Sequence, residues 1–294
     1  CGKLVTSLDM SGLSLTLLWL DEELEQYWAA PADTPAFRKG SMAPRAARAA
    51  AAIDDAETAD IEQPTPAAAE LGRQAIAVLA QVRDVVVEHE EELGKLDAIA
   101  GDGDHGIGMR RGVDAAAQAG EAASGSSVAR ILASAGEAWS ERAGGTSGAL
   151  WGSAVIAAGL SLGNRESYSS KDAAAAVEAF TSAITELGKA DPGDKTMVDA
   201  LLPFRDAFLA ELDGGAPVDR ALAVAAAAAE SAAANTADLR PLKGRARPLA
   251  EKSIGHPDPG AVSFGLIAAR ISHHIDSQLA AAAPSTAAGN GASE

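Results

Sequence analysis

Apolar positions between residues 68 and 279 recur at intervals of three and four and do not alternate. Leu71, Ile76, Leu79, Val82, Val86 and Val87 mark one face of a long amphipathic helix running towards a bend at Asp97. The same period predicts helices over about Met109–Ala122, Ser127–Ala143, Ser147–Leu162, Lys171–Leu187, Thr196–Leu212, Pro217–Ala234 and Val262–Leu279. No stretch in this range reads as a strand. The connections are short and glycine-rich, which favours antiparallel neighbours. The expectation is an all-α domain of about eight helices, an antiparallel bundle or barrel.

Both flanks differ in character. Lys3–Leu8 and Leu13–Leu20 are short strand-like runs separated by a turn at 9–12, and a short helix is expected from Asp21 through Trp28. Two strands and a helix bury too little to form a core, so residues 1–29 read as an α/β remnant, the end of another domain. From Ala30 to Ala67 prolines punctuate alanine and acidic residues without any hydrophobic period, the signature of a linker. Residues 280–294 are mostly Ala, Ser, Gly and Pro, and are expected to be disordered.

Composition narrows the class. Long alanine runs and an aromatic content of only 4% suit close helix contacts through small side chains. The net charge of −17 disfavours nucleic acid or an anionic membrane as partner, and requires a phosphate ligand to be met by metal ions and a few placed cations. The single cysteine, Cys1, excludes an internal disulfide and a cysteine-based zinc site. No apolar run approaches the roughly 20 residues of a membrane span and no secretory leader is recognisable, so a cytoplasmic location is expected.

Four stretches carry candidate chemistry. Residues 97–106 read D-A-I-A-G-D-G-D-H-G, gathering Asp97, Asp102 and Asp104 at a helix-breaking bend. Oxygen-only donors with glycine spacing suit Mg2+ or Ca2+ better than zinc. An EF-hand starting at Asp102 would need Glu at its twelfth position, where Val113 stands, so an incomplete Mg2+ site finished by a nucleotide is the better fit. A solvated acidic turn capping the next helix is the plain alternative. The second stretch, residues 143–148 (A-G-G-T-S-G), opens a helix with backbone N–H groups and two hydroxyls that would attract phosphate; G-x-S-x-G fails at Ala149. The third, residues 188–197, misses a P-loop by the insertion of Asp194 before Lys195-Thr196. The fourth, residues 244–260, concentrates Arg245, Arg247 and Lys252 before a rigid His256-Pro-Asp-Pro-Gly260 turn. Each of these has a plain structural reading as a cap or surface turn.

In this order and spacing the four stretches resemble the L-type, nucleotide-binding domain of dihydroxyacetone kinases. The resemblance covers essentially Ala68 to Leu279, and residues 6–10 and 14–17 look like the last strands of the family's K-type, substrate-binding domain. It implies a barrel of eight antiparallel helices with a nucleotide at one end. Asp97, Asp102 and Asp104 would hold two Mg2+ ions bridging the phosphates of ATP or ADP. His105, Gly106, Ile107, Gly108, Thr146 and Ser147 would contact the phosphates, Gly188 and Met197 would border the adenine, and Arg245 with Asp258, Pro259 and Gly260 would complete the site. Arg247-Pro248 departs from the Ser-Tyr usual in the family after G-R-A. The implied activity is that of the nucleotide half of an ATP-dependent glycerone kinase, acting on dihydroxyacetone or a related small ketose held by a K-type domain; a homodimer is compatible with it. Two rival readings stand beside it: an ADP-carrying phosphocarrier subunit of a phosphotransferase system, and a non-catalytic regulatory module.

Overall fold

The computed structural model describes residues 18–33, 38–39, 64–244 and 246–282. The chain divides into two compact units, residues 1–62 and 63–294. In the first, helix α1 (Glu22–Ala29) is started by Asp21, whose carboxylate accepts from the Leu24 N–H at 2.8 Å. A two-residue antiparallel pair, β1 (Ala32–Asp33) with β2 (Arg38–Lys39), lies where only a linker was expected. The expected strand at Lys3–Leu8 lies outside the described residues, as does Leu13–Leu20 up to residue 17; residues 18–20 are not in a strand.

Among its described residues the second unit holds helices joined by turns, and no strand. Its elements are α2 (Pro66–Glu88), α3 (Glu90–Asp97), α4 (His105–Ala122), α5 (Val128–Ala143), α6 (Gly145–Leu162), α7 (Ser170–Gly188), α8 (Val198–Asp213), α9 (Val218–Asn235), α10 (Ala250–Ser253) and α11 (Pro259–Ala282), with short 3-10 turns at Thr236–Asp238 and Arg247–Leu249. Eight of these helices have 16 residues or more. Each packs on its neighbours in the order α2, α4, α5, α6, α7, α8, α9, α11, and α11 returns to α2, closing a ring.

Local chemistry sets the helix starts. Thr65, Ser127 and Ser169 accept N–H bonds from Ala68, Arg130 and Asp172, and Asp172 reciprocates to form a capping box. The single long helix expected up to Asp97 is instead broken at His89, whose backbone (φ −108°, ψ 9°) leaves the helical region. The break redirects α3 across α4 so closely that a Cβ on Gly106 would lie 2.0 Å from the Glu90 carbonyl oxygen. At the other end α11 runs three residues into the expected disordered tail.

Antiparallel packing follows from the contacts. Gly120 meets Leu79 and Arg83 pairs with Asp114, so α2 and α4 run in opposite directions. Gly136 meets Gly152 and Ile156, while Gly159 meets Leu132 and Ala129, so α5 and α6 do the same. The ring interior holds Trp139 stacked on Trp151, centroids 5.1 Å apart, with Phe180, Phe204, Phe208 and Phe264 around them. Buried Ala221, Ala225, Ala226, Ala229 and Ala233 give α9 a small face on which its neighbours pack. Helix α6, at 18 residues, is long and apolar enough by length and composition to cross a membrane; here it is one member of the ring, with Gly148, Gly152 and Gly159 close against α5 and Trp151 in the ring interior.

The α5–α6 contact has no room for a side chain: a Cβ on Gly152 would stand 1.9 Å from Ser140 Oγ and 2.4 Å from the Gly136 carbonyl oxygen. Gly152→Ala is expected to destabilise the protein by about 1–3 kcal/mol, as overpacking does, measured by denaturant unfolding.

Candidate functional site

An antiparallel ring sends every second connection to the same end. The 98–104 bend, the Gly144 link, the 189–197 turn and the 236–258 segment therefore share one end, and these connections carry all four candidate stretches. The same end receives the N-termini of α4, α6, α8 and α11, whose first-turn N–H groups have no intrahelical carbonyl to bond. The aligned dipoles favour negative charge there.

The bend itself supplies the opposite sign. Ligand oxygens of Asp97, at the end of α3, and of Asp102 and Asp104 all lie within 4.8 Å of one another. Asp97 is half-buried, whereas Asp102 and Asp104 face solvent. Burial, and then the Asp97 charge, push the Asp104 carboxyl above its ordinary range. The repulsion that a carboxylate cluster should create is thus present, and a divalent cation would remove it. Three oxygen donors open on one side match Mg2+, which keeps positions for water and phosphate oxygens.

His105 begins α4, earlier than the hydrophobic period suggested, so that His105, Gly106, Ile107 and Gly108 form its first turn. The His105 ring is held below its ordinary pKa by burial, against the pull of Asp97 and of the Pro259 carbonyl. Its Nε2 lies 3.1 Å from Ser263 Oγ, which in turn donates to the Gly260 carbonyl at 3.0 Å. The start of α4 is pinned in this way to the start of α11.

Gly144 and Gly145, with φ of 67° and 61°, turn the chain from α5 into α6 without other linking residues. Thr146 and Ser147 then lie exposed in the first turn of α6. Gly108 adjoins this link, since a Cβ on it would stand 3.7 Å from the Ala143 carbonyl oxygen. Gly188 ends α7 beside Leu150 of α6. Met197 precedes α8 and adjoins Gly260, whose built Cβ would lie 3.5 Å from the Met197 Cβ.

Asp258 starts α11: its carboxylate accepts from the Ala261 N–H at 2.8 Å, and its own N–H donates to Thr236 Oγ1 at 2.7 Å. Burial raises its pKa to about 7; Asp199 adds to the shift, and the Ala261 and Gly260 N–H groups and the Lys195 ammonium oppose it. Arg245 lies outside the described residues. Sequence reasoning passed over Ser263, Thr236, Asp199 and Lys195. Asp199 shapes the 193–197 turn by accepting from the Gly193 N–H at 2.5 Å and the Thr196 N–H at 2.7 Å. An aspartate just inside the following helix is a cap-like signal that could have revealed it.

The family model of the DAK2 domain matches residues 99–273, more than half of the chain. The chain belongs to the dihydroxyacetone kinase family, through its DAK2 domain. The Dak1 domain model matches residues 1–36. An L-erythrulose kinase of Pectobacterium atrosepticum is 48% identical over 280 residues, covering 94% of this chain and 47% of the relative. The ADP-binding subunit DhaL of the PEP-dependent dihydroxyacetone kinase of Escherichia coli is 34% identical over 190 residues, 65% of this chain and 90% of that subunit. The crystal structure of the dihydroxyacetone kinase from C. freundii in complex with AMP-PNP and Mg2+ superposes with a TM-score of 0.56 at 25% identity, over 87% of this chain and 42% of that one. The chain spans about half the length of the erythrulose kinases it matches.

The raised carboxyls of this family member set its pH response. A carboxyl whose pKa is higher folded than unfolded favours the fold when protonated, and that contribution is lost as pH rises through the folded pKa. In metal-free protein this contribution of Asp258 to thermal stability is therefore expected to fall away as pH rises from about 4, the ordinary carboxyl value, to about 7, where Asp258 ionises in the fold. Asp258→Asn should flatten the slope, and Asp104→Asn should raise the metal-free melting temperature at neutral pH; melting curves across pH check both.

Proposed function

We propose that this chain is the nucleotide-binding, phosphoryl-transferring part of an ATP-dependent ketose kinase. The observation that carries the reading is the cluster of Asp97, Asp102 and Asp104 within 4.8 Å, at the ring end that also gathers four helix N-termini. In this reading residues 68–279 are the nucleotide domain, 1–29 end a K-type domain and 30–67 link the two. The ketose is held by the K-type domain, of which residues 1–36 carry the match.

The three carboxylates would hold Mg2+, two ions by the family resemblance, with ATP or ADP as the nucleotide. A cation held there neutralises phosphate charge, the main requirement of phosphoryl transfer. Asp97 orients the bend, and its Oδ2 lies 3.4 Å from the His105 N–H. His105, neutral through burial, fixes α4 against α11 and adds no charge. The first-turn N–H groups of Gly106 and Ile107, with the Thr146 and Ser147 hydroxyls, receive phosphate oxygens, while the Gly108 N–H donates to the Asp104 carbonyl at 2.8 Å and its glycine backbone lets the ligand approach. Gly188 and Met197 border the base, and Arg245 with Asp258, Pro259 and Gly260 closes the site. No residue of this chain is assigned as general base for the ketose hydroxyl, so the catalytic contribution is positioning and charge.

Three erythrulose kinases match at 45–48% identity, against 34% for the DhaL subunit, which favours a four-carbon ketose over dihydroxyacetone as substrate. A second reading has one observation behind it: the chain covers 90% of an ADP-binding subunit that serves a PEP-dependent kinase. The Dak1 match on the same chain supports the ATP-dependent reading instead.

With a K-type domain added, MgATP and erythrulose should give erythrulose phosphate without phosphoenolpyruvate. Asp102→Ala should lower that rate about 100-fold or more, the scale of several kcal/mol of charge stabilisation. Turnover that needs phosphoenolpyruvate and its carrier proteins would instead establish the phosphocarrier reading.

A further inference from the structure

We propose that Lys195 is a positioning residue of the nucleotide site, its ammonium fastening both ends of the 239–253 segment to the turn that carries Met197. The inference rests on the nucleotide reading above. Lys195 is 3% exposed, and a buried ammonium is costly unless it is paired and hydrogen-bonded. Its Nζ donates to the Leu239 carbonyl at 3.0 Å and to the Ser253 carbonyl at 2.7 Å. The Asp258 and Asp238 carboxylates favour its charge, although burial holds its pKa below the usual lysine range.

The backbone gives no other reason for a lysine here. Lys195 has φ +61°, in the left-handed region where a glycine would serve at lower cost. The side chain does the joining. Its two carbonyl partners lie at opposite ends of one excursion of the chain, so this one group bonds the chain both where that excursion leaves the ring and where it rejoins.

Further bonds run the same way. The Leu242 N–H donates to the Asp194 carbonyl at 3.0 Å, Lys243 Nζ to the Lys189 carbonyl at 3.1 Å, and the Gly255 N–H to the Ala237 carbonyl at 2.9 Å. Between the fastened ends lie Arg240, Lys243, Arg247 and Lys252, a concentration of cations in a chain of net charge −17. Immediately beyond come Asp258 to Gly260, against Met197. Lys195 therefore acts through the wall formed by Met197, the basic segment and the start of α11. The carboxylate bend stands on α3 and α4, which Lys195 does not join.

That separation supplies the test. In the full chain, Lys195→Met keeps the side-chain bulk without the ammonium, and Lys195→Gly relieves the left-handed backbone while also removing it. Both should weaken MgATP binding about tenfold or more by calorimetry. Both should leave Tb3+ affinity for the carboxylate bend, read by luminescence, within about twofold of the unsubstituted chain, at temperatures well below each variant's melting point. MgATP binding unchanged in either variant would overturn the proposal, and so would parallel loss of Tb3+ and nucleotide, the mark of a merely structural role. A chain that binds Tb3+ but no nucleotide before any substitution would overturn the nucleotide reading and this inference with it.

Discussion

A closed ring of antiparallel helices has two ends and distributes its connections alternately between them. Here that closure rests on backbones coming unusually near to one another, most plainly where Gly136 and Gly152 bring α5 and α6 together. The large side chains are confined to the interior, where Trp139, Trp151 and the phenylalanines fill the space left by alanine-rich walls. Once the ring is closed, the bend at 98–104, the Gly144 link, the 189–197 turn and the 236–258 segment must converge. Residues far apart in sequence meet because helix direction leaves them no alternative.

The converging end combines two electrostatic features that would each be unfavourable alone. Three carboxylates stand within 4.8 Å of one another, and the Asp97 charge adds to burial in raising the Asp104 pKa. Several helix N-termini accumulate partial positive charge. A metal–phosphate pair would suit both, its cation on the carboxylates and its anion on the first-turn N–H groups, as proposed above. The His105–Ser263 bond holds the start of α11 to α4, and the bond from the Asp258 N–H to Thr236 holds it to the end of α9.

Much of this was legible in the sequence because it is local. Helical periodicity, Ser and Thr caps, and the D-G-D bend are all short-range signals, and the elements formed within a few residues of where the pattern placed them. The carboxylates of Asp97, Asp102 and Asp104 are brought together by the bend they lie on. What the sequence withheld is tertiary. The break at His89 has no proline or glycine to announce it; it accompanies the close crossing of α3 over α4 at Gly106. The start of α4 at His105 was obscured by glycines that disfavour helix, yet the bond from the Gly108 N–H to the Asp104 carbonyl closes its first turn. Ser263, Thr236 and Lys195 act on partners many residues away, and no spacing rule reaches that far.

Binding of a nucleotide at the ring end, through a metal held by the aspartate bend, is the property on which the proposed function stands. Calorimetric titration of the full chain with ATP, with and without Mg2+, tests it most directly. ATP should bind clearly with Mg2+ and lose most of its affinity when the metal is chelated. Equal affinity in both conditions, or no binding with Mg2+ present, would contradict it.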